Sequence, residues 1–165
     1  MERRKHHRFS ATAFLNRPVT LTPIPPFIGK PVKGRLIDLS AGGLALLIGQ
    51  IIPQETKLKL TLTFPDHSRL EAVTEVKHMV PRERHYLIGL EFLTIDPAWV
   101  ARIDKMSADY IDCEQRINGN SMSPCIGADC AFFTMCSKPE RTNLLVNLDE
   151  GLLLDFELLE SSRKA

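Results

Sequence analysis

The chain has 165 residues, 44% of them hydrophobic and 25% charged, with a formal net charge of +1; this is enough for one domain with a buried core plus an extension. The near-neutral balance hides an asymmetry, because Arg3 to Arg8 hold four cations and two histidines while Asp149 to Glu160 carry five carboxylates and no base. A small basic end on a neutral body suits a small anion and argues against duplex nucleic acid, which needs a broad cationic face.

The first ninety or so residues read as β structure. "PVTLTPI" opens as an alternating strand and runs into the proline-rich loop "PIPPFIGKP". "VKGRLIDLS" and "GLALLI" flank the small, flexible "SAGG" and look like two strands joined by a tight connection. "KLKLTLTF" alternates as a half-buried strand should; "PDHS" then turns into "RLEAVTEVKHMV", and "RERH" into "YLIGLEFL". Six short strands at these intervals predict a mainly β fold, a small antiparallel barrel or sandwich over residues 1–95.

A packed helix is expected over 96–112. Asp96 can cap it, Pro97 suits its first position, and Trp99, Val100, Ile103, Met106, Tyr110 and Ile111 draw one apolar stripe. Residues 113–165 form a cysteine-containing extension that ends in "TNLLVNLDEGLLLDFELLE". There Asp149-Glu150-Gly151 suits a hairpin turn, and a short amphipathic helix fits nearly as well. No apolar run approaches the roughly eighteen residues of a membrane span. No apolar segment or cleavage site follows the basic start either, so the expected setting is the cytoplasm.

Two short motifs carry the functional reading. Arg4-Lys5-His6-His7-Arg8 fits R-x-x-x-R, and Asp38-Leu39-Ser40-Ala41-Gly42-Gly43 fits D-x-S-x-x-G. Asp38 and Ser40, two apart at a strand end, can point to one face, and Gly43 leaves room for a ligand to approach. By itself the second motif also fits a serine-stabilised turn. Both motifs, in this order ahead of an antiparallel strand series and with "GLEF" at Gly89 to Phe92, resemble the PilZ domain family over roughly Glu2 to Leu93.

That resemblance implies a PilZ-like six-stranded barrel and a receptor for the bacterial second messenger cyclic di-GMP, bound by Arg4, Arg8, Asp38, Ser40 and Gly43. In the family, the position of Arg3, directly before the motif, influences whether one ligand or a stacked pair binds, which implies a stacked pair here. The chemistry fits the ligand. An arginine fork matches phosphate oxygens and the O6/N7 edge of guanine. A carboxylate accepts from the guanine N1–H and N2–H donors, and a serine hydroxyl adds a contact. Four charge-assisted contacts at about 1.5–3 kcal/mol each approach the roughly 8 kcal/mol of a micromolar complex. The basic stretch is then an arm that closes over the ligand and orders as it does, a movement that a protein partner can sense. His6 and His7 read as solvent-facing spacers.

Cys113, Cys125, Cys130 and Cys136 follow C-x11-C-x4-C-x5-C. Four thiolates in so short a window can ligate zinc or an iron–sulfur cluster, although the spacing matches no common pattern for either. Disulfides are disfavoured in a cytoplasmic setting, and four reduced, partly buried thiols are the plain alternative. No G-x-S-x-G, H-E-x-x-H or G-x-x-x-x-G-K occurs. His67, His78 and His85 fall on turns or strand ends as surface residues. The chain therefore reads as a non-enzymatic cyclic di-GMP switch that signals to a protein partner. The alternatives are a cysteine-ligated metal or redox sensor on a PilZ-like scaffold, and a degenerate module that no longer binds nucleotide, against which the intact motifs argue.

Overall fold

The computed structural model describes residues 6–10, 18–25, 29–119, 125–133 and 136. Its strands are β1 (Phe9–Ser10), β2 (Pro18–Pro23), β3 (Val32–Ser40), β4 (Gly43–Ile48), β5 (Lys57–Thr63), β6 (Arg69–Arg82) and β7 (His85–Ile95). All pairings are antiparallel, in the order β1-β3-β2-β5-β6-β7-β4, and a further β3–β4 pairing closes the sheet. The expected six-stranded barrel is therefore present as β2 to β7, with β1 as an extra strand. β1 is two residues long, too short to show an alternation. It pairs Phe9 with Leu39 and Ser10 with Asp38, beyond the stretch of β3 that β2 covers.

Side chains alternate between the two faces of a strand, and the core follows. Val19, Leu21, Leu44, Leu46, Leu58, Leu60, Leu62, Leu70, Val76 and Ile88 are fully buried inside the barrel. A register shift between Leu36 and Asp38 breaks the period once in β3. Leu36 and Leu39, three apart, are both fully buried as a result. The extra residue thus turns Asp38 out of the barrel interior, while Ser40 stays buried at the strand end.

The helix α1 (Pro97–Asn118) is capped by Asp96, whose Oδ1 accepts from the Ala98 backbone N–H at 2.8 Å. It continues beyond the expected 112 because no breaker intervenes before Gly119, and so Cys113 belongs to the helix. Ile103 and Met106 are fully buried, and Trp99, Val100 and Tyr110 pack at the core margin. Trp99 stacks on Phe64 with ring centroids 4.9 Å apart. Arg102 lies over both rings and donates to Asp66 Oδ2 at 2.7 Å and to Ser68 Oγ at 2.8 Å.

The far end of α1 holds the segment 125–133. Buried Asp109 accepts from Lys105 Nζ and, at 2.7 Å, from the Ala131 backbone N–H. Phe132 meets Phe9 edge to face at 5.0 Å. No helix among the described residues is long and apolar enough to cross a membrane. The expected turn at Asp149-Glu150-Gly151 lies outside the described residues.

Candidate functional site

The β3–β4 connection is a two-residue turn, Ala41-Gly42, closed by the pair Ser40 and Gly43. Ser40 Oγ is buried and donates to the Gly43 carbonyl at 3.1 Å. A Cβ on Gly43 would collide with the Leu90 carbonyl oxygen of β7, and one on Gly42 would lie 3.3 Å from the His6 ring. Gly43 was expected to make room for a ligand; what it makes room for is the backbone of β7.

Phe9, 1% exposed, anchors the end of the basic stretch in the core. That anchor places Arg8 over β3, with its NH1 3.7 Å from Asp38 Oδ1. This distance is an ion pair without a hydrogen bond. Asp38 Oδ1 is itself buried and has no hydrogen-bond partner among the described residues. The structure thus brings together Arg8, Asp38, Ser40 and Gly43, from two motifs some thirty residues apart in sequence. Arg3 and Arg4 lie outside the described residues.

Beside this pair opens a cleft of ≈ 590 Å³ whose lining includes His6, Arg8, Ser40, Gly42, Lys77, His78, Gly89 and Glu91. Asp38 and Gly43 are not among its lining residues, although Asp38 pairs with Arg8 and Gly43 follows Gly42, which are. Sequence reasoning assigned no ligand role to His6, Lys77, His78, Gly89 or Glu91. His6, expected as a spacer, is half-buried and bonds Asp104 of α1 at 3.2 Å. Ser107 Oγ also donates to the His7 carbonyl at 3.3 Å, so the arm is tied to the helix twice. His78 lies within β6 rather than at its end, and its ring occupies the space where a Gly89 side chain would be. Lys77 Nζ is held by Glu75 at 2.6 Å and Glu91 at 2.9 Å, and hydrogen bonds to both push its pKa above that of an ordinary lysine. Glu91 and Gly89 belong to "GLEF", which is where the sequence signal for this wall lay.

For the cysteines the sequence left a metal centre and four reduced thiols both open. Cys113, Cys125, Cys130 and Cys136 are reduced and half-buried, and no group of three or more His, Cys, Asp or Glu among the described residues could hold a metal ion. The four are spread over a helix and a turn-rich segment, and the neighbouring Asp109 already serves Lys105 and Ala131. Burial pushes the Cys130 thiol up, against a hydrogen bond with the Phe132 backbone, and the nearby Asp109, Cys113 and Cys136 charges add to the rise. Among the described residues the zinc or iron–sulfur reading has no geometry behind it.

Known structures share this architecture. The complex of Klebsiella pneumonia MrkH with c-di-GMP is 21% identical with a TM-score of 0.58, over 71% of this chain and 56% of that one. The Bacillus subtilis inhibitor of motility MotI/DgrA is 18% identical with a TM-score of 0.55, over 74% and 54%. The PilZ domain of Escherichia coli YcgR with c-di-GMP is 17% identical with a TM-score of 0.52, over 73% of this chain and 100% of that one. The chain thus spans about half the length of MrkH and of MotI, and these identities speak for the fold alone. A search of curated protein sequences found no match. The model of the PilZ domain, however, matches residues 2–108, well over half of the sequence. The chain belongs to the PilZ domain family.

Proposed function

We propose that this chain is a non-enzymatic receptor for cyclic di-GMP, which binds between the basic arm and the β3–β4 turn. One observation carries the reading: Asp38 Oδ1 is buried, lacks a hydrogen-bond donor among the described residues, and has the Arg8 guanidinium beside it. A buried carboxylate oxygen without a donor costs about 1–3 kcal/mol or more, so such a group wants an occupant. The N1–H and N2–H edge of guanine supplies the donors Asp38 lacks. Arg8 and Arg4 then take phosphate oxygens or the opposite guanine edge. Family membership supports this ligand, and so do the two related structures described with c-di-GMP. The cleft volume of ≈ 590 Å³ lies within the range of small-molecule sites.

Arg3 favours a stacked pair of ligands. Ser40 holds the turn and offers its hydroxyl at the cleft wall, and Gly43 keeps β4 seated on β7. The arm's ties to α1, from His6 to Asp104 and from Ser107 to His7, give ligand closure a route to the helix. A protein partner reading that helix in the cytoplasm would sense occupancy.

Calorimetric titration of cyclic di-GMP tests the reading. Saturable micromolar binding is expected to disappear in a folded Arg4→Ala/Arg8→Ala variant, with two ligands per chain if the pair stacks. A folded wild-type chain that takes up no ligand would overturn it.

A further inference from the structure

Beyond the cleft, the outer face of β3, β4, β7 and β6 carries one cross-strand row of aligned side chains. Arg35 stands opposite Leu47, Leu47 opposite Leu87, and Leu87 opposite Val80. Val80 is 41% exposed, and Leu47 and Leu87 are half-buried. Past this apolar row, His85 pairs with Arg82 across the β6–β7 hairpin, and Lys33 lies alongside. Two adjoining hollows of ≈ 400 and ≈ 470 Å³ share Leu47 and His85, and Glu83 is the one carboxylate among their lining residues.

The cations here differ from most of the others. Lys59, Lys77, Arg102 and Lys105 each sit on a carboxylate. Lys33, Arg35, Arg82 and Arg84 have no ion-pair partner among the described residues. A half-exposed apolar row bordered by unpaired cations is complementary to a segment that alternates apolar and acidic residues.

The chain carries such a segment. Asp149 to Glu160 hold five carboxylates and no base, set among Leu152, Leu153, Leu154, Phe156, Leu158 and Leu159. We propose that this segment docks on its own barrel, its leucines and Phe156 over Leu47, Leu87 and Val80 and its carboxylates against Lys33, Arg35 and Arg82. The thirteen residues from Cys136 to Asp149 reach up to roughly 40 Å when extended, farther than the roughly 30–35 Å across a domain of this size. β3, β4 and β7 each have a strand on both sides. The segment therefore binds through side chains on the face rather than by pairing along those strands.

Zero-length carbodiimide crosslinking of the full chain, without nucleotide and mapped by mass spectrometry, tests this independently of the receptor reading. Lys33 is expected to link to carboxylates within 149–160 in preference to Lys57 and Lys59 on β5, with every link inside one chain when isotopically distinct copies are mixed. Leu47→Asp leaves Lys33 in place and is expected to lower its yield about fivefold. Arg35→Glu/Arg82→Glu, which alters exposed side chains alone, should do the same. Equal linking to all three lysines, links between copies, or variants that leave the Lys33 yield unchanged would overturn the proposal. So would pelleting of the full chain with anionic vesicles, abolished by Arg35→Glu/Arg82→Glu, in the absence of these links.

Discussion

Two arginine–aspartate pairs join separate elements of this molecule, and they are built to opposite standards. Arg102 and Asp66 tie α1 to the β5–β6 turn at 2.7 Å, and Ser68 donates to Asp66 through both its hydroxyl and its backbone N–H. The rings of Trp99 and Phe64 support the guanidinium from below. Every group in that cluster is satisfied. Arg8 and Asp38 stand 3.7 Å apart, with one carboxylate oxygen buried and undonated. A satisfied pair stabilises a fold, whereas an unsatisfied one is poised for a ligand whose donors complete it.

The largest effects should separate the two pairs. Removing Asp38 deletes a buried oxygen that the fold leaves undonated, so Asp38→Ala is expected to weaken cyclic di-GMP binding about 100-fold while leaving the ligand-free fold as stable or more stable, by up to about 1–3 kcal/mol. Arg102→Ala removes two charge-assisted hydrogen bonds and the stacking on two rings. It should lower stability by about 2 kcal/mol and leave affinity intact. Denaturant melts and calorimetry on both variants read this double dissociation. If Asp38→Ala melts like Arg102→Ala, the two pairs are of one kind.

Gly43 sharpens the contrast from inside the ligand motif. An added methyl group meets the Leu90 carbonyl of β7, so Gly43→Ala should cost about 1–3 kcal/mol of stability. Any lost affinity should return under conditions that restore the fold. An affinity defect in a fully stable Gly43→Ala variant would give the glycine back its direct ligand role.

What was legible in the sequence follows the same division. Strands β2 to β7 announced themselves because barrel walls impose a period of two, as in "KLKLTLTF", and Asp96-Pro97 marked the helix start. β1 escaped because two residues hold no period. The helix end escaped because residues 113–118 are as compatible with a helix as with a loop, and tertiary contacts decide. The motifs pointed to Arg8 and Asp38, but their meeting depends on Phe9 entering the core and on the bulge that turns Asp38 outward. Lys77 and His78 were invisible as cleft residues, since their place is set by pairing with β7 across a second register shift. For the cysteines the sequence left a metal centre and four reduced, partly buried thiols both open, because spacing alone does not fix how thiols on a helix and a turn-rich segment face one another. Among the described residues no group that could hold a metal is found.

The smallest effect is a pH signature of the satisfied pair. Hydrogen bonds from Ser68 and Arg102 hold the Asp66 carboxyl at about 2, below its ordinary 3.8. The folded state therefore keeps the carboxylate where the unfolded chain would already bind a proton. The stabilisation is complete above about pH 4 and is lost as the pH falls from there through about 2. The Asp66 side chain is 39% exposed, so solvent screening limits the contribution to roughly 1 kcal/mol or less. Asp66→Asn keeps the shape and an acceptor but removes the charge. The wild type should melt higher than Asp66→Asn at pH 7, and the gap should close by about pH 2 and shrink in high salt. A gap that persisted at low pH would assign the work of this cluster to packing of Arg102 on Trp99 and Phe64 rather than to its charge.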